Sequence, residues 1–447
     1  MIAPIGIGGR IDVRDRPIQS GETAMLLNKA RAYAIMDREG LDGLIATAPI
    51  NVYYLSDYWG ALMRMRRTFY NYAFLPRDEN APPALVVTGV EHLRFFHRPE
   101  LTWMPSVQSY VHPIYLDRRD FDPDVEDPEH VEYGMKWPIR HDSLSPRDEK
   151  YLEFMESHRG NASVNALYAL KKAIAAAGLS AGKLGSDDPR VGPWLQEIGL
   201  ADVQVSDATT IFRDIRMVKS PEEIVLMRKV AAINQEALDV VIDSLQVGMP
   251  RDDLDTIYNV EIAKRGAKGI YLATGQNGTN QNMGTLLEGE SITFDGLCEY
   301  RNYHGDLGRV AVCGEPKPEL VRRMKALEIG CQAVLDVVKP GVTGQEVTSA
   351  VIDAVRGAGF PGFFFATPHS TGLEHSDHKI PIGPTLPGGN GPFVFEENMV
   401  FSLDMPYYEV GWGNLHVEDQ ILVTATGVEP LTNCDVSLRV RPGASAR

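Results

Sequence analysis

The sequence contains little that would suit a secreted, membrane-spanning or disulfide-rich protein. It has four cysteines in 447 residues, without the CxxC spacing of a zinc site or a disulfide framework. No apolar run approaches the ~18 residues that a membrane span needs. The first residues lack the basic and apolar segments of a signal peptide. We therefore expect a cytoplasmic protein with reduced thiols.

Positive charge is also scarce. There are 44 Lys and Arg residues against 60 Asp and Glu residues, which gives a formal net charge of −16. An acidic surface offers no counter-charge to nucleic acid or to an anionic membrane, so both are disfavoured as partners. Small molecules or peptides remain. The hydrophobic fraction of 44% is typical of a soluble globular protein, and the length predicts more than one domain.

The first part of the chain, residues 1–210, alternates helical patterns with short apolar runs such as DGLIATA and ALVVTG. This alternation predicts an α/β domain with its own core. Residues 108–150 interrupt it with a segment rich in Asp, Glu, Pro and aromatic residues, without clear periodicity. Such a long insertion is either an arm or lid over a site or a mobile excursion, and the sequence leaves both open.

A second domain is predicted over residues 211–447. Its first helix is expected at KSPEEI, where Ser220 can cap, Pro221 suits the first turn and Gly248 follows the apolar stripe. Residues 236–266 and 332–359 repeat one pattern, a helix end, a glycine turn and a second helix that closes on Arg-Gly. The repeat predicts an α+β domain with a pseudo-two-fold axis and a site where its halves meet.

Two aspartates lie in the segment FDGLCEYRNYHGDLGRV, residues 294–310, which is otherwise typical of a strand hairpin. A tip centred between Tyr300 and Arg301 would place Asp295 directly across from Asp306. Side chains in such pairs have Cβ atoms roughly 4.5–5.5 Å apart, and like charges there are destabilising. We therefore expect another group to compensate the two carboxylates.

Three further polar positions follow on strand-like runs or beside them. They are His369 in PHSTGLEHSDHK, Asp404 in VFSLDMPYY and Glu418 in LHVEDQILVT. Carboxylates are uncommon on buried strands. Together with the paired aspartates they fit one or two cations that prefer oxygen ligands, because a cation removes the repulsion.

The order of these residues resembles the pita-bread, M24 peptidase-like family, which includes methionine aminopeptidase, aminopeptidase P, prolidase and creatinase. The segments NVYYLSDY, RMVKSPEEI, KPGVTGQEV and VEDQILVTATGVEPLT are also similar, so the resemblance covers most of residues 22–435. It implies a creatinase-like N-terminal domain followed by a pita-bread domain. It also implies one or two divalent metals, Mn, Fe, Co or Zn, bound by Asp295, Asp306, His369, Asp404 and Glu418.

The sequence departs from the family pattern at three positions. The ligand at Asp404 is normally the longer Glu. Two histidines of the Xaa-Pro-cleaving members align with Asn282, which we take as a substrate-binding candidate, and with Ser376. A general base would then come from Asp377 or His375, although the loop could also be polar without chemistry.

The resemblance implies a metal-dependent hydrolase that acts on a small amide or dipeptide-like substrate. The departures keep three alternatives open: a lyase of the dimethylsulfoniopropionate-cleaving type, a creatinase-like C–N hydrolase without metal, and a non-catalytic binding module. The creatinase branch also implies a homodimer in which the partner's N-terminal domain reaches the site. Arg64 and Arg66 in DYWGALMRMRRTFYNY would then hold a substrate carboxylate, or they form a basic strand end packed against the insertion.

Overall fold

The computed structural model describes residues 25–111, 127–131, 138–275, 284–378 and 393–443. The N-terminal part folds around a mixed six-stranded sheet. Its strands in chain order are β1 (Gly43–Ala46), β2 (Tyr72–Pro76), β3 (Ala84–Thr88), β4 (Ser106–Tyr110), β5 (Ala181–Ser186) and β6 (Asp202–Asp207). They lie side by side as β4, β3, β2, β1, β5, β6. Strands β1 to β3 are buried along their whole length, so the sheet is covered on both faces.

Helices surround this sheet. They are α1 (Lys29–Glu39), α2 (Pro49–Ser56), α3 (Ala61–Arg64), α4 (Gly89–His97), α5 (Pro146–His158), α6 (Ala166–Ala176), α7 (Val191–Glu197) and α8 (Thr209–Met217), with 3-10 turns at Pro99–Leu101 and His141–Ser143. Helix α6 shows how they attach, since Asn165 caps its first turn and its Ala169, Leu170 and Ile174 are fully buried against the sheet.

The C-terminal part contains two further sheets. Its helices are α9 (Pro221–Asp243), α10 (Arg251–Lys264), α11 (Pro318–Val337) and α12 (Gly344–Gly357). Its strands are β7 (Lys268–Ala273), β8 (Ser291–Tyr300), β9 (Tyr303–Cys313), β10 (Thr367–Ser370), β11 (Val400–Glu409), β12 (Gly413–Val417), β13 (Gln420–Val423), β14 (Val428–Pro430) and β15 (Arg439–Arg441). One sheet has the order β15, β9, β8, β7, and the other has β10, β11, β13, β14 with β12 paired to β11.

These elements form the two similar halves that the repeat predicts. A long helix, a shorter helix and antiparallel strands follow one another as α9, α10, β7 to β9, and again as α11, α12 and β10 to β13. A bridge between Gly308 in β9 and Glu418 after β12 joins the two sheets. The polar positions of the sequence therefore lie where the halves meet.

The structure confirms the predicted start of the helix at KSPEEI, which is α9. The Ser220 side chain accepts a hydrogen bond from the Glu223 N–H, and the Glu223 carboxylate accepts one from the Ser220 N–H. This reciprocal cap leaves Pro221 in the first turn, where no N–H is needed. The apolar stripe that follows is buried at Ile224, Met227, Ala231, Leu238, Val241 and Leu245.

The predicted boundary between residues 210 and 211 falls within α8, and it stays a prediction. Residues 112–126 and 132–137 of the predicted insertion lie outside the described residues. The rest of the insertion includes the end of β4 and the start of α5. Among the helices that the structure describes, none combines the length and apolar character of a membrane span.

Candidate metal centre

The hairpin of β8 and β9 sets the positions of the first two candidate ligands. Its turn is formed by Arg301 and Asn302, both with positive φ, 49° and 67°, so Tyr300 pairs with Tyr303. Positive φ at both central residues is typical of the type I′ turn, which matches the twist of a two-residue hairpin.

The sequence prediction placed the tip one residue too early and is wrong about the pairing. Asp295 lies opposite Gly308, and Asp306 lies opposite Leu297. Because residues two apart share a face of a strand, the two carboxylates still lie on one face, as diagonal neighbours rather than as a direct pair.

The second half of the domain supplies the other three candidate ligands. His369 lies in β10, which pairs with β11 so that Thr367 is opposite Asp404. Glu418 follows β12 and is held against the hairpin by the bridge to Gly308. Five predicted ligands from four separate segments are thereby brought to one place.

His369 lies at the middle of this cluster. Its Nε2 is 3.7 Å from Oδ2 of Asp306, 3.4 Å from Oδ2 of Asp404 and 3.3 Å from Oε1 of Glu418. Two atoms that each lie ~2.1 Å from one metal are at most ~4.2 Å apart, so these separations suit shared coordination. Its Nδ1 is 3.2 Å from the carbonyl oxygen of His375. Donation from Nδ1 to that carbonyl leaves Nε2 free to bind a metal.

Asp306 is a buried carboxylate whose charge a bound cation would compensate. It is 2% exposed, and neither carboxylate oxygen has a well-directed hydrogen bond within the described part of the chain, although Nε2 of His375 lies 2.9 Å from Oδ2. Burial and the charge of Glu418 raise its pKa. A buried carboxylate is costly unless a cation compensates it. Oxygen and imidazole donors together suit divalent transition metals, so these residues fit the metal that the resemblance implies.

Sequence reasoning missed His416 in β12. Its Nε2 lies 3.2 Å from Oε2 of Glu418 and 3.6 Å from Oδ1 of Asp404. Burial lowers its pKa, but the hydrogen bond to Glu418 and the charges of Asp295 and Asp404 outweigh this and raise it to about 10. In the sequence LHVED the only signal is a histidine two residues before Glu418, and its place in a strand made it look like an ordinary core residue.

Donor atoms of these side chains form three overlapping groups, each within 4.8 Å. The groups are Asp295, His416 and Glu418, then His369, Asp404 and Glu418, and finally Asp306, His369 and His375. Asp404 is therefore within reach of the cluster although it is one methylene shorter than Glu. Glu418 and His369 each belong to two groups, which suits a centre with adjacent metal positions.

The comparison with protein families is consistent with this geometry. Residues 225–425 match the model of metallopeptidase family M24. They contain all five predicted ligands and His416. This part, just under half of the chain, is similar to the metallopeptidases of family M24, in line with the resemblance found in the sequence.

Among curated relatives, the chain is 25% identical over 248 residues to an Xaa-Pro dipeptidase of Lactobacillus delbrueckii subsp. lactis. It is 28% identical over 263 residues to a probable dipeptidase PepE of Mycobacterium tuberculosis. These matches cover 53% and 56% of this chain and 65% and 68% of the relatives. The chain thus spans about two thirds of the length of the curated relatives that it matches.

Solved structures of similar proteins show the fold over nearly the whole chain. An Xaa-Pro dipeptidase from Bacillus anthracis is 16% identical with a TM-score of 0.66 and covers 92% of this chain and 98% of its own. The dipeptidase PepE from Mycobacterium ulcerans is 21% identical with a TM-score of 0.63 and covers 92% and 96%. These likenesses confirm the predicted N-terminal α/β domain followed by a pita-bread domain.

Asp377, the first candidate for the general base, is directed away from the cluster. Its Oδ1 accepts a hydrogen bond from Nε of Arg216 at 2.8 Å, and its Oδ2 accepts one from Nζ of Lys219 at 3.1 Å. Burial alone would raise its pKa, but these two cations hold it below its ordinary value. A carboxylate committed to two buried cations is a poor proton acceptor. The geometry therefore favours the second candidate, His375, whose side chain is 44% exposed and contacts Asp306.

Two of the predicted substrate-binding residues, Arg64 and Arg66, lie in the N-terminal part of the chain. Arg64 and Arg66 are exposed at the end of α3 and in the turn after it. Arg66 has a positive φ of 53°. Asn282 lies outside the described residues. Their roles remain predictions.

Proposed function

We propose that the protein is a metal-dependent hydrolase of small amide or dipeptide-like substrates, with a one- or two-metal centre. The observation that carries the proposal is the buried carboxylate of Asp306, which lies among His369, His375 and Glu418 and accepts no well-directed hydrogen bond from the described residues. The M24 match and the similarity to proteins named Xaa-Pro dipeptidase and dipeptidase PepE support a peptide-like substrate.

The metal would be Mn, Fe, Co or Zn. Its ligands would be the five predicted side chains, Asp295, Asp306, His369, Asp404 and Glu418. A divalent metal bound there supplies a Lewis acid for the substrate carbonyl and lowers the pKa of water towards neutrality. The protein side chains orient this chemistry. His369 is fixed by its contact with the His375 carbonyl, and Glu418 is fixed by the bridge to Gly308.

Proton movement is assigned to His375. Burial lowers the pKa of His375, but the close contact with the Asp306 carboxylate and its negative charge outweigh this and raise it. Because its ring is partly exposed and touches the cluster, it can exchange a proton between solvent and the reacting amide. It would replace the histidines that are lost at Asn282 and Ser376.

The exposed position of Arg64 and Arg66 supports a homodimer in which these arginines bind a substrate carboxylate in the partner's site. A cytoplasmic location also remains part of the proposal. The homodimer and the location are separate from the chemistry of the cluster. An active monomer would contradict the homodimer alone.

The test is an assay of purified protein loaded in turn with Mn²⁺, Fe²⁺, Co²⁺ and Zn²⁺ against Xaa-Pro dipeptides, other dipeptides and small amides, with products identified by mass spectrometry. We expect amide hydrolysis that a chelator abolishes and added metal restores. Asp306→Ala should lose nearly all activity, while Asp353→Ala, on an exposed face of α12, should keep it.

Full activity of Asp306→Ala on the true substrate would contradict the proposal. So would metal-loaded protein that hydrolyses no member of the panel. Elimination of a sulfonium substrate, or creatine hydrolysis without metal, would instead support the alternative chemistries of this fold.

A further inference from the structure

We propose that His416 is a metal ligand of this centre, and that its imidazole shifts the preference of the site from Mn²⁺ towards Co²⁺, Fe²⁺ and Zn²⁺. The inference rests on the proposed metal-dependent function and adds a residue that the sequence pattern did not assign.

The first observation is the direction of the side chain. Along β12, Leu415 and Val417 are fully buried in the apolar core. Because successive residues of a strand face opposite sides, His416 faces away from that core and towards the hairpin that carries Asp295. The strand thus places an imidazole among carboxylates, while its neighbours hold β12 in the core.

The second observation is the space made for the ring. A Cβ at position 308 would lie 2.8 Å from Nε2 of His416 and 2.8 Å from the backbone nitrogen of Glu418. Any side chain there would collide with both. Gly308 is also the residue opposite Asp295 in the hairpin, so its missing side chain opens the path between His416 and Asp295.

The third observation is the set of donor atoms. Asp295, His416 and Glu418 each offer one ligand atom within 4.8 Å of the others, and Nε2 of His416 is 3.2 Å from Oε2 of Glu418. The predicted set alone has one nitrogen donor among oxygens. A second imidazole makes the centre richer in nitrogen, which favours metals later in the first transition row.

His416 also stands beside the position where the family pattern is weakest. Its Nε2 is 3.6 Å from Oδ1 of Asp404, the residue that is one methylene shorter than the usual Glu. A ligand that approaches from β12 would compensate for the shorter reach of the ligand from β11. Asp404 and His416 would then belong to one rearranged coordination set.

The test is metal binding rather than activity. Wild type, His416→Ala and the control His141→Ala, which removes an exposed imidazole outside the cluster, are titrated with Co²⁺ and with Mn²⁺. Binding is followed by equilibrium dialysis with elemental analysis and by the visible absorption of Co²⁺. We expect His416→Ala to weaken Co²⁺ binding by at least the ~10–100-fold seen when outer-shell partners are lost, and to change the Co²⁺ spectrum. Mn²⁺ binding should weaken less, and His141→Ala should match wild type.

A second variant covers the case in which His416→Ala folds poorly. His416→Gln can still donate a hydrogen bond to Glu418, but it lacks an imidazole nitrogen. It should bind Co²⁺ weakly with an altered spectrum. If the Gln variant has the wild-type affinity and spectrum, His416 only positions Glu418 and the inference is wrong.

The outcomes also separate the two proposals. Wild-type protein that binds none of Co²⁺, Zn²⁺ and Mn²⁺ would overturn the proposed metal-dependent function and this inference with it. Metal binding that is unchanged or increased in His416→Ala would overturn this inference alone.

Discussion

Two groups of buried charge lie at the two ends of the loop from His369 to Asp377, and they are compensated in different ways. Around Asp377, the protein supplies its own cations, Arg216 and Lys219, and each makes a direct hydrogen bond to the carboxylate. Around Asp306, the nearby groups are histidines and further carboxylates. The pKa of Asp377 is accordingly held down, while that of Asp306 is raised.

This difference in charge compensation indicates what each end of the loop does. The Asp377 end joins the two domains, because Arg216 in α8 also binds Asn51 of α2 and Glu374 of the loop. Gly372 permits this packing, since a Cβ there would lie 2.8 Å from Nζ of Lys219. The Asp306 end has the uncompensated charge that a metal requires. One end of the loop is a structural anchor, and the other presents ligands.

The strongest way to test the comparison is Asp306→Asn, which keeps the shape of the side chain and removes its charge. We expect the variant to lose nearly all bound transition metal, because Asp306 is a buried carboxylate of the proposed ligand set and asparagine brings no negative charge to a cation. Elemental analysis of protein dialysed against Mn²⁺ or Co²⁺ measures this.

In the metal-free protein, we do not expect Asp306→Asn to be harmful. Removal of an uncompensated buried charge should leave thermal stability unchanged or raise it in the presence of a chelator. A variant that retains full metal content, or that unfolds well below wild type without metal, would show that Asp306 is already compensated by the protein.

The matched change at the other end is Asp377→Asn. It removes the carboxylate charge that the buried cations Arg216 and Lys219 share, although Arg216 keeps its contact with Glu374. Breaking a buried pair of this kind costs about 3–5 kcal/mol. Urea unfolding should therefore show a large loss in the free energy of unfolding, with or without metal.

The control for this change is Asp353→Asn on the exposed face of α12, which should stay within about 0.5 kcal/mol of wild type. If Asp377→Asn were as stable as this control but abolished catalysis, Asp377 would be the base that the sequence first indicated.

The contrast also explains which features the sequence could predict. The strand pattern, the α9 cap and the order of Asp295, Asp306, His369 and Glu418 are local or depend on chain order, and each was readable. The hairpin register was not, because Arg-Asn is not the Asn-Gly signal of a type I′ turn.

Contacts between residues far apart in the sequence explain what could not be predicted. The pairing of Asp377 depends on Arg216, which lies 161 residues earlier, and only the fold brings them together. His416 likewise gains meaning only because β12 packs beside the hairpin. The crowding of His375, Asp377 and His378 in sequence therefore pointed to shared chemistry, whereas their side chains have different surroundings.

A third carboxylate, the partly buried Asp57, gives a comparison with a smaller expected effect. It ends α2 with a positive φ of 62°, and its Oδ1 accepts a hydrogen bond from the Leu26 N–H at 3.0 Å. Burial raises its pKa to about 7, despite that hydrogen bond and with a further contribution from Glu222. In the part of the chain that the structure describes, Asp57 therefore has neither the paired cations of Asp377 nor the ligand cluster of Asp306.

The predicted effect of Asp57→Asn depends on pH. In the unfolded chain an aspartate titrates near pH ~3.9, so between pH ~4 and 7 the folded protein holds a proton that the unfolded chain has released. The stability from this proton is fully present below pH ~4 and is lost as the pH rises through 7. Asparagine removes the titration, keeps an acceptor for Leu26 and tolerates the left-handed backbone. The free energy of unfolding of the variant should thus match that of wild type near pH 4. It should exceed the wild-type value progressively up to pH 7, by on the order of 1 kcal/mol per pH unit.

Urea unfolding at several pH values measures this difference, with the exposed Asp202→Asn as control. Parallel stability curves for Asp57→Asn and wild type would mean that the burial of Asp57 is compensated in the folded chain.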